Sequence, residues 1–121
     1  PPRSTLFPYT TLFRSGRRFN AAGLYAPSTG GDGIVYREVM KLMNAGGWKY
    51  HWDDVSMVPY LQNEAGTEIV FFDNPESIRI KTEYAKSNNL RGIMIWSLGS
   101  DFMDGRQPLL DAIGKAKDGV R

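Results

Sequence analysis

The sequence predicts an α/β fold, and three observations carry that reading. Leu90–Leu98, LRGIMIWSL, places four consecutive apolar residues, Ile93 to Trp96, between polar or glycine-marked ends. Strands covered by helices on both faces lose the in/out alternation of an exposed sheet and become continuous apolar runs, so this reads as a buried parallel strand. Just before it, Asp73-Asn74-Pro75-Glu76-Ser77 starts a helix: Asn74 is the N-cap, Pro75 the first helical residue, and Glu76 an acid where the helix dipole favours one. That helix runs to about Ser87 and offers Ile78, Tyr84 and Ala85 to a neighbour; Asn88-Asn89 ends it, and the strand follows at once. A helix feeding a buried strand is the second half of a β-α-β unit.

The chain begins differently. Pro1–Ser15, PPRSTLFPYTTLFRS, reads back codon for codon as a short-read sequencing adapter, and the expectation is that it is non-biological and stands outside the fold. It contributes Arg3 and Arg14 and no acid; without them, 13 basic residues face 13 acidic ones and the formal charge of +2 vanishes. Composition then offers no argument for nucleic acid or an anionic membrane as partner. No apolar run approaches the roughly 20 residues a bilayer-spanning helix needs. The absence of cysteine excludes disulfides and thiolate metal sites.

From Gly16 on, the elements follow in order. Arg17–Tyr25 reads as strand and loop, and Ala26–Gly33 is turn-rich; Gly30, Gly31 and Gly33 fit neither the P-loop nor the dinucleotide pattern. Ile34–Asn44 carries Ile34, Val35, Val39, Met40 and Met43 at helical spacing, closed by Gly46-Gly47. Trp48–Trp52 alternates as a strand, with Trp48, Tyr50 and Trp52 on one face and Lys49 and His51 on the other. The aromatic face suits either sheet packing or sugar stacking. His51 is the one histidine and has no second ligand nearby, so it predicts no metal site. Val58–Gln62 and Thr67–Phe72 form a hairpin, with Pro59 at an edge or a strand start. After Trp96 a loop presents Asp101 and Asp104 as D-x-x-D, a pattern of capping or of acid/base chemistry, and Leu109–Lys117 is a last helix.

These residues carry a resemblance. Gly16-Arg17-Arg18-Phe19 resembles the YGRxF of strand 7 in the family 18 glycoside hydrolases, the chitinases; Val58-Pro59-Tyr60-Leu61 is similar to their VPYL. Phe72–Ile78 is similar to their Y-D-D-P-E-S-I, Arg91–Leu98 with Asp101 to GGxMxWxLxxD, and Pro108–Ile113 to PLLxAI. The sequence departs from the pattern at Asn74, where a second Asp is common, and at Arg91, where Gly is. The matches keep their order across Gly16–Lys117.

The resemblance implies the C-terminal part of a (β/α)8 TIM barrel with an α+β chitinase insertion domain. Residues 16–72 would be the end of strand 7 and the insertion; residues 73–121 would be helix 7 (Asn74–Ser87), strand 8 (Leu90–Leu98) and helix 8 (Leu109–Lys117). It implies Trp96 as the floor beneath the reacting sugar of chitin or an N-acetylglucosamine oligosaccharide, with Trp52, Tyr60 and Asp101 as further candidate contacts. Hydrolysis would run by substrate-assisted retention, outside the usual two-carboxylate scheme. The D-x-x-D-x-D-x-E motif that supplies the acid is absent, and Glu64, Glu68 and Glu76 fall outside it, so the chain is expected to bind sugar without cleaving it. The alternative is a chitinase-like lectin on the same scaffold. No cofactor, metal, membrane or obligate protein partner is implied, and the family suggests an extracellular location.

Overall fold

The computed structural model describes the backbone of residues 10–14 and residues 16–119 in full; Pro1–Tyr9 and Ser15 of the first segment lie outside it. Its strands fall into two sheets. A two-stranded parallel pair joins β1 (Thr10–Arg14) to β7 (Gly92–Trp96), in register from Thr10↔Gly92 to Arg14↔Trp96. The other strands are β2 (Gly16–Phe19), β3 (Gly31–Gly33), β4 (Trp48–Asp53), β5 (Val58–Asn63) and β6 (Ile69–Phe72). They form an antiparallel sheet in the order β3-β2-β6-β5-β4.

The strand β1 lies in the stretch that sequence reasoning set outside the fold. Thr-Thr-Leu-Phe-Arg is at ease in extended backbone, and a strand edge accepts an extended partner through main-chain groups alone. Pairing here reports backbone compatibility, whatever the segment's origin.

The helix α1 (Tyr36–Ala45) lies against one face of the antiparallel sheet. Val39 from the helix meets Leu61, Val70 and Phe72 from β5 and β6, with Ile34, Met40, Leu42 and Trp48 closing around them. The helix starts two residues later than the apolar spacing suggests. Val35 is extended (φ −82°, ψ 154°), and the Ile34 amide donates to the Gly16 carbonyl at 3.2 Å, so the strand conformation continues up to Tyr36. That approach requires glycine at position 16, where a Cβ would sit 2.9 Å from the Phe71 carbonyl oxygen and 3.0 Å from the Ile34 methyl. Pro59 occupies a strand start within an interior strand. It pairs with Trp52 of β4, while the β5–β6 ladder begins only at Tyr60, so the missing N–H costs no bond toward β6.

The helices α2 (Pro75–Ser87) and α3 (Pro108–Lys117) pack on each other and on β7. Their core joins Ile78, Leu109 and Ala112 to Tyr36 of α1, with Met40, Ile93, Ile95, Met103 and Ile113 against it. Met40 touches both clusters and so links the two layers. At the start of α2, Asn74 and Ser77 form a reciprocal capping box: the Ser77 amide donates to Asn74 at 2.8 Å and the Asn74 amide to the Ser77 hydroxyl at 3.0 Å. Ile78, Thr82 and Ala85 are the buried stripe, at helical spacing, whereas Tyr84 is 56% exposed. At about 100° per residue Tyr84 lies well round the helix from Ile78, which corrects its expected place in the contact face.

Burial on both faces of β7 is not what the structure shows. Ile93 and Ile95 pack inward, but every residue from Gly92 to Ile95 is half-buried and Trp96 is exposed. Two helices cover one side of the strand, and among the described residues no second layer lies over Met94.

Candidate functional site

Trp96 ends β7, and its indole is 68% exposed. The chain leaves through a cis Trp96–Ser97 peptide and a turn in which the Ser100 amide donates to the Ser97 carbonyl at 3.0 Å. The Ser97 and Ser100 hydroxyls meet at 2.8 Å. Between this turn and the sheet lies an open cleft of ≈ 240 Å³, lined by Trp96, Ser97 and Ser100 on one side and by Gly16, Arg17, Gly33, Ile34 and Val35 on the other.

Position along the chain explains this meeting. Arg17 and Gly33 are register partners at the β2–β3 edge, and the Tyr36 amide donates to the Ser100 carbonyl at 3.2 Å, fastening the start of α1 to the loop after β7. The Arg17 guanidinium lies 5.7 Å from the Phe19 ring centroid and donates to the Gly31 carbonyl at 3.3 Å, so it is held over the sheet. Among the described residues the cleft therefore offers an indole, the Arg17 guanidinium, two hydroxyls and backbone, and none of its described lining residues carries a carboxylate. Such a surface can stack and orient an uncharged polar ring.

Sequence reasoning named Arg17 only as part of a motif, and Ile34 and Val35 only as helix residues. The signal that could have raised Arg17 was its position one residue beyond a glycine that the backbone needs for close approach.

The other candidates are dispersed. Asp101 is 2% exposed, and its carboxylate accepts from the Leu109 and Leu110 amides at 2.9 and 3.1 Å. It supplies the N-terminal cap of α3 that Gln107 does not, at the end of the helix where an anion is favoured. Its charge, after burial itself, holds the Tyr36 phenol above the usual tyrosine range. Asp104 is exposed in the following turn, so the D-x-x-D pair forms no carboxylate couple. Among the described residues no three His, Asp or Glu side chains gather into a metal site.

Trp52 and Tyr60 point to opposite faces of the antiparallel sheet. Trp52 pairs with Pro59 on the face that carries Trp48, Leu61 and Val70, the face packed by α1. On it Trp48 joins the core and Tyr50 sets its ring edge-on to Phe72 at 6.5 Å. Of the two readings open for that aromatic face, sheet packing is the one observed for Trp48 and Tyr50. Tyr60 stands on the other face, stacked on His51 at 4.9 Å.

A sequence profile described as glycosyl hydrolases family 18 matches residues 10–101. The chain belongs to that family. Chitinase A1 of Niallia circulans is 33% identical over 88 residues, 65% of this chain and 13% of the relative. A putative chitinase 1 of Margaritifera margaritifera is 40% identical over 78 residues, 64% of this chain and 16% of the relative. Ostrinia furnacalis Group IV chitinase, solved in complex with allosamidin, superimposes with a TM-score of 0.70 at 30% identity, over 93% of this chain and 35% of that one. The family 18 chain thus spans well under a fifth of the first two relatives and about a third of the solved structure. Shared with it is the fold over the superimposed stretch; the profile match begins at β1, at Thr10, ahead of the motifs quoted from Gly16 on.

Proposed function

We propose that this family 18 chain is the C-terminal part of a (β/α)8 chitinase, holding the reacting N-acetylglucosamine of chitin while the cleaving groups belong to the N-terminal part of the barrel. In that reading residues 16–72 are the end of strand 7 and the insertion domain, residues 73–121 are helix 7, strand 8 and helix 8, and residues 1–15 are adapter-derived. The carrying observation is the exposed indole of Trp96 at the C-terminal end of a parallel strand, beside a cleft whose described lining residues include no carboxylate. Strand C-terminal ends are where barrel enzymes place their ligands.

The roles of the chain's own residues follow from their chemistry. The C–H face of a pyranose packs on the Trp96 indole, which excludes water and sets the ring plane. Arg17, held by Phe19 and Gly31, donates to a hydroxyl or acetamido oxygen of the sugar. The substrate's own acetamido oxygen attacks the anomeric carbon in the mechanism the resemblance implies, so no nucleophile is required of this chain. The leaving-group oxygen takes its proton from an acid outside it. The full protein is placed outside the cell, where its polymer substrate lies.

Titrating the chain with N-acetylglucosamine oligosaccharides while following tryptophan fluorescence tests the binding part. Saturable binding lost in Trp96→Ala is expected. Incubation with the same oligosaccharides should release no shorter product, and genuine turnover by this chain would overturn the division of labour.

A further inference from the structure

Strand β7 is hydrogen-bonded along one edge only. β1 takes that edge, and among the described residues no backbone bond reaches the other edge of Gly92–Trp96. Native sheets protect such edges with a charge, a proline or a bulge. Gly92-Ile93-Met94-Ile95-Trp96 carries neither charge nor proline and is apolar throughout. Its two faces differ. Ile93 and Ile95 turn toward the core beneath α2 and α3, whereas Gly92, Met94 and Trp96 stand on the side that no layer covers among the described residues. On the isoleucine side an open groove of ≈ 280 Å³ remains, lined among others by Leu90, Ile93, Ile95 and Ile113.

The segment is complementary to itself. When two copies run antiparallel about Met94, Met94 faces Met94, Ile93 faces Ile95 and Gly92 faces Trp96, so all five residues find partners. The four isoleucines then stand together on the helix side, next to the groove. On the opposite side the Trp96 indole of each copy comes to lie over Gly92 of the other. A Cβ at Gly92 would meet nothing within 4 Å, so there is room for the ring. An aromatic side chain across from a strand glycine is a stabilising pair. A slip of one residue would turn the isoleucines of one copy to the uncovered side.

Charge selects the antiparallel sense. Lys86 lies in the last turn of α2, just before Arg91, and its ammonium group donates to the Ala116 and Lys117 carbonyls at 3.1 and 3.0 Å. Lys86, Arg91 and Lys117 therefore gather where β7 begins, and all three line the groove. Parallel pairing would set the two basic clusters side by side. Antiparallel pairing sends them to opposite ends of the strand, about 16 Å apart and beyond the reach of unscreened repulsion at physiological salt. Arg91 then faces Ser97, not a second cation.

We propose that this chain forms a two-fold dimer by antiparallel pairing of β7 with β7 of a second copy. The contact is isologous, so it closes at two chains, and it requires no ligand in the Trp96 cleft.

Sedimentation equilibrium from about 10 to about 500 µM tests this, a range in which contacts of modest area associate. The parent chain should pass from monomer to dimer. In Met94→Lys two ammonium groups would face each other across the two-fold axis, and the dimer should weaken roughly tenfold or more. Tyr84→Lys adds the same charge on the exposed face of α2 and should leave the dimer unchanged. Circular dichroism checks that each variant folds. A cysteine variant tests the register directly, because the chain has no thiol of its own. Met94→Cys should give a disulfide-linked dimer under mild oxidation much faster than Tyr84→Cys does, and it carries the test should Met94→Lys fail to fold. A parent that stays monomeric throughout, a folded Met94→Lys that dimerises like the parent, a ladder of higher oligomers in place of a dimer, or equal cross-linking at positions 84 and 94 overturns the proposal.

Discussion

The antiparallel sheet and the β7 layer meet their need for cover in different ways. In the sheet, β5 and β6 are hydrogen-bonded on both edges, and one helix buries Leu61, Val70 and Phe72 on one face, while the other face carries the buried Ile69 and the half-buried rings of Phe19, Tyr60 and Phe71. The strand β7 carries apolar residues toward both faces, yet helices α2 and α3 pack on one of them, and an open apolar groove of ≈ 280 Å³ remains between those helices and the strand. A meander-like antiparallel unit closes on itself, whereas a parallel strand depends on layers contributed from elsewhere in the chain. Amide hydrogen exchange should therefore protect β5 and β6 more strongly than β7, and equal protection would erase the contrast.

Substitutions sharpen the comparison. The largest effect is expected at Leu61→Ala, which empties a fully buried site in the sheet core and should cost about 2–5 kcal/mol in denaturant unfolding. The counterpart Met94→Ala on the uncovered side of β7 should cost well under half of that, since a half-buried side chain leaves little cavity. Next comes Asp101→Ala, which leaves the first amides of α3 without their acceptor inside the structure. A loss of about 1–3 kcal/mol is expected, with most of it restored by Asn, whose side-chain oxygen can still accept. Removing the cap of α2 by Asn74→Ala should cost about 1 kcal/mol, because the helix is also held by the buried Ile78, Thr82 and Ala85.

A smaller effect is tied to pH. Tyr36 is held above the usual tyrosine range by burial and by Asp101, so the unfolded chain releases the phenolic proton at lower pH than the folded one. The stability this contributes is present below about pH 10, the unfolded value, and is lost as pH rises through the higher native value. Alkaline melting of Tyr36→Phe should lack that part of the decline. The smallest effect on folding is expected at Trp96→Ala, within about 0.5 kcal/mol, because the indole is mostly exposed. A large loss of stability there would make Trp96 a packing residue and would remove the main support for the sugar site.

Much of the layout was legible along the chain. The capping signature at Asn74-Pro75, the hairpin from Val58 to Phe72, the glycine pair closing α1 and the aliphatic strand after Asn88-Asn89 are local signals, read from two or three neighbouring residues at a time. The start of α1 was misplaced because the backbone bond from Ile34 to Gly16 spans 18 positions and overrides a helical spacing of apolar residues. Asp101 was open between chemistry and capping for the same reason, as its partners stand eight and nine residues away.

By itself the sequence determined β4 to β7, the course of α2 and α3, the family and Trp96 as the residue at the end of the last strand, since propensity, capping and motif order are properties of short segments; β1, β3 and the start of α1 came from pairing with distant backbone. Tertiary structure alone decided which face of each strand would be covered. The alternation in Trp48–Trp52 separates two faces but does not say which one α1 will take. By packing on the side of Trp48, α1 left the side of His51, Tyr60 and Phe71 open.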